Sequence, residues 1–189
     1  MAMKPGERRL QILQTLAAML ENPRGEKVTT AALAAKLSVS EAALYRHFAS
    51  KAQMFEGLIE FIETTLFSFV NKITAETTDG VAQAEQAVVM LLSFAEKNPG
   101  MTRVLIGEAL VNEDERLQAR INQLTDRLEA ALRQSLRIAQ AANGWHGDAQ
   151  ADAAVLIAYV LGRWQLFAKS GFKRTPQEGW ALQRKFLFG

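Results

Sequence analysis

The stretch from Val28 to Lys51, VTTAALAAKLSVSEAALYRHFASK, constrains the fold more than any other part of the chain. Thr29 and Thr30 are N-cap residue types, and good helix formers follow them in AALAAKL. Leu37-Ser38-Val39-Ser40 breaks that helix, and Ser40 can cap the next, Glu41 to His47. Ser50 and Gln53 then form an S-x-x-Q capping box at the start of a third helix. Two helices joined by so short a turn read as a helix-turn-helix, whose second helix enters the DNA major groove.

The residue types on that second helix suit the task. Ala42 and Ala43 are small enough to let the backbone approach base edges and thymine methyls. Tyr45, Arg46 and His47 supply hydrogen bonds and charge, and Lys51 stands beside a helix N-terminus as a phosphate contact. Phe48 reads as a core aromatic. The candidate DNA-contacting set is Thr29, Thr30, Ser40, Glu41, Ala42, Ala43, Tyr45, Arg46, His47 and Lys51. Charge agrees: residues 1–51 hold eight Lys or Arg against four Glu, in a chain whose overall net charge is only +2.

Helical periodicity runs through the rest. Leu10, Leu13, Leu16, Ala17 and Leu20 recur over residues 7–21, which Asn22-Pro23-Arg24-Gly25 ends. Met1 to Arg9 reads as an arm in which Arg8 and Arg9 either touch DNA backbone or stay solvated. Residues 51–75 carry one apolar stripe of Phe55, Leu58, Ile59, Ile62, Leu66, Phe69, Val70 and Ile73. Phe61 and Phe67 lie off that stripe, consistent with burial all round or with a partner site. Residues 81–97 present Met90, Ser93, Phe94 and Lys97 opposite their main apolar face. A helix over 100–111 with Gly107 inside it, a long one over 114–142 and a very apolar one over 149–170 follow. Pro176 is expected to begin the last helix. The whole reads as all-α, with a three-helix head over residues 1–50 and a helical regulatory, partner-binding and dimerisation body over 51–189.

With 189 residues, 49% hydrophobic, the chain can build a sizeable core. The absence of cysteine excludes disulfides, thiol catalysis and thiolate metal sites. No glycine-rich phosphate loop, H-E-x-x-H or G-x-S-x-G occurs, and the two histidines, His47 and His146, lie far apart. No nucleophile is set beside a base, so catalysis is not indicated, and neither a cofactor nor a metal is expected. No apolar leader or run of 18 apolar residues is present, so a cytoplasmic location is expected.

The pattern V-T-T-x-x-L-A-x-x-L-x-V-S-x-x-x-L-Y-R-H-F-x-S-K resembles the signature of the TetR family of DNA-binding regulators, with Ser38 where a turn glycine is usual. Five further segments extend the likeness across the chain: L-Q-x-L-A-x-M-L-E (13–21), S-K-x-x-M-F-x-x-L-I-E-F-I-E (50–63), E-K-N-P-G-M-T-R-V-L (96–105), L-Q-A-R-I-N-Q-L (117–124) and S-G-F-K-R-T-P (170–176). They are similar to the nucleoid occlusion factors within that family.

The resemblance implies a homodimer on palindromic chromosomal DNA, with one or two dimers per site. It implies that the DNA-bound form engages the C-terminal tail of the division GTPase FtsZ and blocks Z-ring assembly over the nucleoid. Carried over by position, the FtsZ-facing residues are Phe61, Met90, Ser93, Lys97 and Asn98. Phe69 stands where the family has arginine, and Ser93 where it has glycine. Dimerisation through the last two long helices would involve Leu156, Val160, Trp164, Phe167 and Trp180. The wider family offers the alternative of a ligand-responsive transcriptional repressor.

Overall fold

The computed structural model describes residues 6–22 and 28–189. The expected arm before Gly6 and the Pro23–Gly25 stop lie outside the described residues. Among the described residues all regular structure is helical: α1 (Glu7–Leu20), α2 (Thr30–Lys36), α3 (Glu41–Tyr45), α4 (Lys51–Glu76), α5 (Gly80–Lys97), α6 (Pro99–Leu105), α7 (Glu115–Ala141), α8 (Ala149–Lys169) and α9 (Trp180–Phe188). The compact units do not divide at the expected boundary near residue 50. One comprises residues 1–62 and 98–121, the other 63–97 and 122–189. The long helices α4 and α7 each contribute to both.

The core of the first unit holds Ile12, Leu16, Leu33, Leu44, Phe48 and Phe55, each at most 1% exposed. Leu10 departs from the expected stripe. It is 42% exposed, and Ile12 takes the inward position. Helix α6 lies directly on α1, because Gly100 has no side chain: a Cβ there would meet the Ala17 carbonyl oxygen at 1.9 Å. Arg103 fastens the contact. Its buried guanidinium donates to the carbonyls of Leu20 and Asn22 at 3.0 and 3.1 Å, and its Nη2 sits 2.8 Å from the Glu108 carboxylate. Helix α6 ends at Leu105 rather than near 111. Gly107 adopts φ +77°, which terminates the helix, and a short 3-10 turn follows over Glu108–Leu110.

In the second unit Leu66, Leu92, Leu124, Leu136, Val160 and Trp164 are at most 1% exposed. The Trp164 indole N–H donates to the Leu91 carbonyl at 3.1 Å, so the largest core side chain leaves no polar atom unpaired. Pro176 does not begin the last helix. It is buried in the α8–α9 connection, where Arg163 donates to the carbonyls of Thr175, Pro176 and Glu178 at 2.8–2.9 Å. That guanidinium satisfies a run of loop carbonyls that no helix can. Helix α9 starts only after Gly179, at φ +78°.

Candidate nucleic-acid interface

Local rules build the α2–turn–α3 unit. The Thr29 side chain caps α2 by accepting from the Ala32 N–H at 3.1 Å. The helix closes in a Schellman motif: Ser38 N–H donates to Ala35 O at 3.1 Å, and Val39 N–H to Ala34 O at 3.0 Å. That motif needs a left-handed residue after the cap, and Ser38 supplies it at φ +54°. Ser40 then caps α3 through the Ala43 N–H. Leu33 and Leu44, each 1% exposed, anchor the two helices from below. At the start of α4, Ser50 Oγ accepts from the Gln53 N–H at 3.1 Å. The Gln53 amide oxygen accepts from the Ala49 N–H at 2.9 Å, so the capping box closes one residue early.

The surface this leaves outward is the face expected to read DNA. Glu41, Ala42, Tyr45, Arg46 and His47 are exposed, Ala43 is half-buried, and Phe48 is buried as a core aromatic. Thr30 and Glu41 hold each other: Thr30 Oγ1 donates to the Glu41 carboxylate at 2.6 Å and ties the first turn of α2 to that of α3. The Glu41 charge also sits favourably at the positive end of α3.

Two cations behave otherwise than their sequence positions suggest. Lys51 is not a free phosphate contact, because its ammonium lies 2.5 Å from the Glu113 carboxylate, the side chains being 23% and 12% exposed. Arg9 is exposed, but it is not extended as an arm. Its guanidinium donates to the His47 carbonyl at 3.0 Å and stacks 4.2 Å from the Phe48 ring centre. It thereby holds the C-terminal end of the recognition helix, a role separated from it by 38 residues of sequence.

The residues carried over as a partner surface fall in both units. Phe61, 38% exposed, and Asn98, the N-cap of α6, belong to the first. Met90 and Ser93, half-buried, and Lys97, exposed in the last turn of α5, belong to the second. Within the second unit a groove of about 400 Å³ runs between α4 and α5. Phe69, Ile73, Val89 and Met90 supply its apolar floor, and Ser93 joins the lining. Phe69 therefore corrects the stripe reading: it is 44% exposed and faces the groove, while Val70 turns inward at 8%.

The proposed dimer residues need a similar correction. Leu156, Val160, Trp164 and Phe167 are at most 2% exposed within this one chain, so they line its own core and have no surface to offer a partner. Trp180 is half-buried, tilted against Tyr159 at 6.1 Å. The outward face of α8 is the complementary stripe, Ala151, Ala154, Val155, Ala158, Gly162 and Leu166. Helix α9 adds Leu182 and Phe186, 68% and 90% exposed. Because both faces are apolar or small, α8 reaches a mean hydropathy of 1.2 over 18 residues, which by length and composition would suit a membrane span. Core packing on one face and small residues on the other account for it.

The comparisons with known proteins agree with this geometry. Residues 17–58 match the family described as bacterial regulatory proteins, tetR family, and residues 78–189 match the SlmA-like, tetracyclin repressor-like C-terminal domain. The nucleoid occlusion factor SlmA of Alteromonas mediterranea is 52% identical over 179 residues, 94% of this chain and 92% of that protein. SlmA of a Marinomonas species is 50% identical over 186 residues, covering 97% and 94%. Among solved structures, the fatty acid degradation regulator FadR of Bacillus halodurans superposes with a TM-score of 0.80 at 16% identity, covering 99% of this chain and 97% of its own. The TetR-family regulator PfmR of Thermus thermophilus does so with 0.78 at 20%, covering 94% and 97%. The structures at that identity speak to the fold alone. A head signature, a matching body domain and half-identity over nearly the full length together place the chain in the SlmA family of TetR-type DNA-binding regulators.

Proposed function

We propose that the protein is a nucleoid occlusion factor that binds palindromic chromosomal sites as a homodimer and, once on DNA, holds the C-terminal tail of FtsZ. The observation that carries this is the identity to SlmA proteins along the whole chain, 52% and 50% in the two cases above, rather than in the head alone. The exposed face of α3 reads DNA, and a two-fold dimer presents two such faces to one palindrome. The small-residue stripe of α8 with Leu182 and Phe186 of α9 forms the subunit contact. Small residues let two helices approach closely, and the large apolar side chains are otherwise left in water. Such a protein resides in the cytoplasm, on the nucleoid.

Phe61, Met90, Ser93, Lys97 and Asn98 are the residues we assign to the tail. Aromatic and methionine side chains accept an apolar peptide segment, and the exposed Lys97 ammonium attracts its acidic residues. DNA then acts as an effector, favouring the state with the higher affinity for the tail. The test is fluorescence anisotropy of a labelled FtsZ tail peptide, with and without a palindromic duplex. Saturable binding that strengthens with DNA is expected, and Lys97→Glu should weaken it while leaving DNA affinity unchanged. No binding in either condition would return the chain to the ligand-responsive repressors of the wider family.

A further inference from the structure

The Lys51–Glu113 pair has a consequence for how DNA is bound. Lys51 is the first residue of α4, immediately after the Ser50 cap that ends the recognition segment. Its charge stands where a phosphate contact is expected, but it is already neutralised by Glu113 at 2.5 Å. The Phe55 ring, 5.6 Å from the ammonium, covers part of the lysine. Glu113 is held in place by its surroundings. Its N–H donates to Leu110 O at 3.0 Å, and Leu110 is 5% exposed. Asn112 before it is left-handed at φ +65°, and Asp114 after it caps α7 by accepting from the Arg116 N–H at 3.0 Å. Arg116 and Arg120 also reach α4, at the Glu56 carboxylate (4.0 Å) and the Glu56 carbonyl (3.3 Å).

We propose that Glu113 is an internal competitor of DNA for the Lys51 ammonium, a specificity-determining residue for phosphate binding that touches no DNA itself. In the free protein the pair presents no net charge at that point. On DNA the ammonium exchanges its carboxylate for a phosphate oxygen, and Glu113 is released at the start of α7. Loss of one carboxylate contact opposes gain of one phosphate contact, so the exchange makes Lys51 a conditional contact rather than a constant one. A non-specific encounter that places no phosphate beside Lys51 leaves the pair closed. The inference rests on DNA binding by this head, and not on the FtsZ reading.

The experiment is a double-mutant cycle with the full-length chain. The probe is a fluorescein-labelled short duplex, selected with the wild-type protein from a random-sequence pool. Glu113→Gln is nearly isosteric and keeps the loop. It is expected to tighten binding roughly tenfold and to steepen the log affinity against log salt slope by up to about 0.9 per subunit, since Lys51 then arrives as a full cation. Lys51→Ala weakens binding, and adding Glu113→Gln to it yields no further gain. Glu113→Ser, which also removes the carboxylate, must reproduce the gain. The proposal is overturned if Glu113→Gln binds like wild type or more weakly. It is equally overturned if the gain persists without Lys51, because the effect is then general charge removal. A wild-type protein that bound no selected duplex would refute the DNA reading itself, a distinct result.

Discussion

Replacing Gly100 with alanine should destabilise the first unit by at least about 3 kcal/mol. The added Cβ would lie 1.9 Å from the Ala17 carbonyl oxygen and 2.9 Å from its carbon. Both are backbone atoms, so no rotamer change relieves the clash. Helices α1 and α6 must separate by about 1 Å, and overpacking of that kind costs about 1–3 kcal/mol. The same movement stretches the Arg103 bonds to Leu20 and Asn22, now 3.0 and 3.1 Å, past hydrogen-bond range. Each charge-assisted bond of this type contributes about 1.5–3 kcal/mol. Helix propensity runs the other way, since alanine is favoured over glycine by about 1 kcal/mol, and is too small to win. The assay is urea unfolding at fixed protein concentration, because dimerisation makes apparent stability concentration-dependent. A lowered midpoint with unchanged slope is expected. DNA affinity should fall too, because α1 carries the Arg9 that holds the end of α3. A change within about 0.5 kcal/mol, the range of an ordinary surface substitution, would refute the argument. The α1–α6 contact would then be loose rather than close-packed.

Ser38→Gly should stabilise the protein by about 0.5–1 kcal/mol in thermal or urea unfolding, because a left-handed backbone strains serine and not glycine. A loss would mean that the serine hydroxyl has a task of its own. Asp114 has a pKa lowered from 3.8 to about 2, chiefly by its side-chain hydrogen bond with Arg116 and then by the Arg116 backbone N–H. A depressed carboxylate adds stability that is present above about pH 3.8 and lost as pH falls through about 2. Arg116→Gln should return the Asp114 titration, followed by NMR, towards 3.8. Phe186→Asp should raise the dimer dissociation constant at least about thirtyfold by sedimentation, as for loss of a central apolar anchor. An unchanged value would move the subunit contact away from α9.

What was legible in the sequence was what local chemistry determines. Thr29, Ser40 and Ser50 cap the helices their types announced, Ser38 takes the left-handed turn position, and Phe48 is core. Two local readings failed because a neighbour distant in sequence decided them. Gly107 fits a helix interior by pattern, but φ +77° ends the helix, and a Cβ there would strike the Gln118 amide at 2.4 Å. Pro176 is a good first helical residue, but Arg163 claims its carbonyl. The partners of Lys51, Arg9 and Arg103 lie 62, 38 and 81–83 residues away, beyond the reach of any periodicity. The α8 residues were misassigned for a different reason. An apolar helix can carry two apolar stripes, and hydrophobicity alone does not tell the core face from the outward one. Size does: Trp164 and Phe167 fill the chain's own interior, whereas alanines and Gly162 face outward.

The internal pairing of cations also bears on why such a head should work in pairs. Among the described residues of the head, Arg8 donates to Gln11, Arg9 is held by His47 and Phe48, and Lys51 by Glu113. Lys36 and Arg46 stand exposed at helix ends, and Arg9 in the first turn of α1 is exposed too and keeps its full charge. Non-specific affinity for DNA scales with the phosphates neutralised, so one head alone makes half the contacts of a pair. Two heads on a rigid two-fold dimer convert the second contact into an intramolecular one, which strengthens binding by about 10²–10⁴ without any new contact. That gain is available only where two half-sites are spaced to match the dimer. The need for two matched half-sites is therefore a means of selectivity. It suppresses binding to the bulk of the chromosome and leaves strong binding to the palindromes that engage both subunits and draw Lys51 from Glu113.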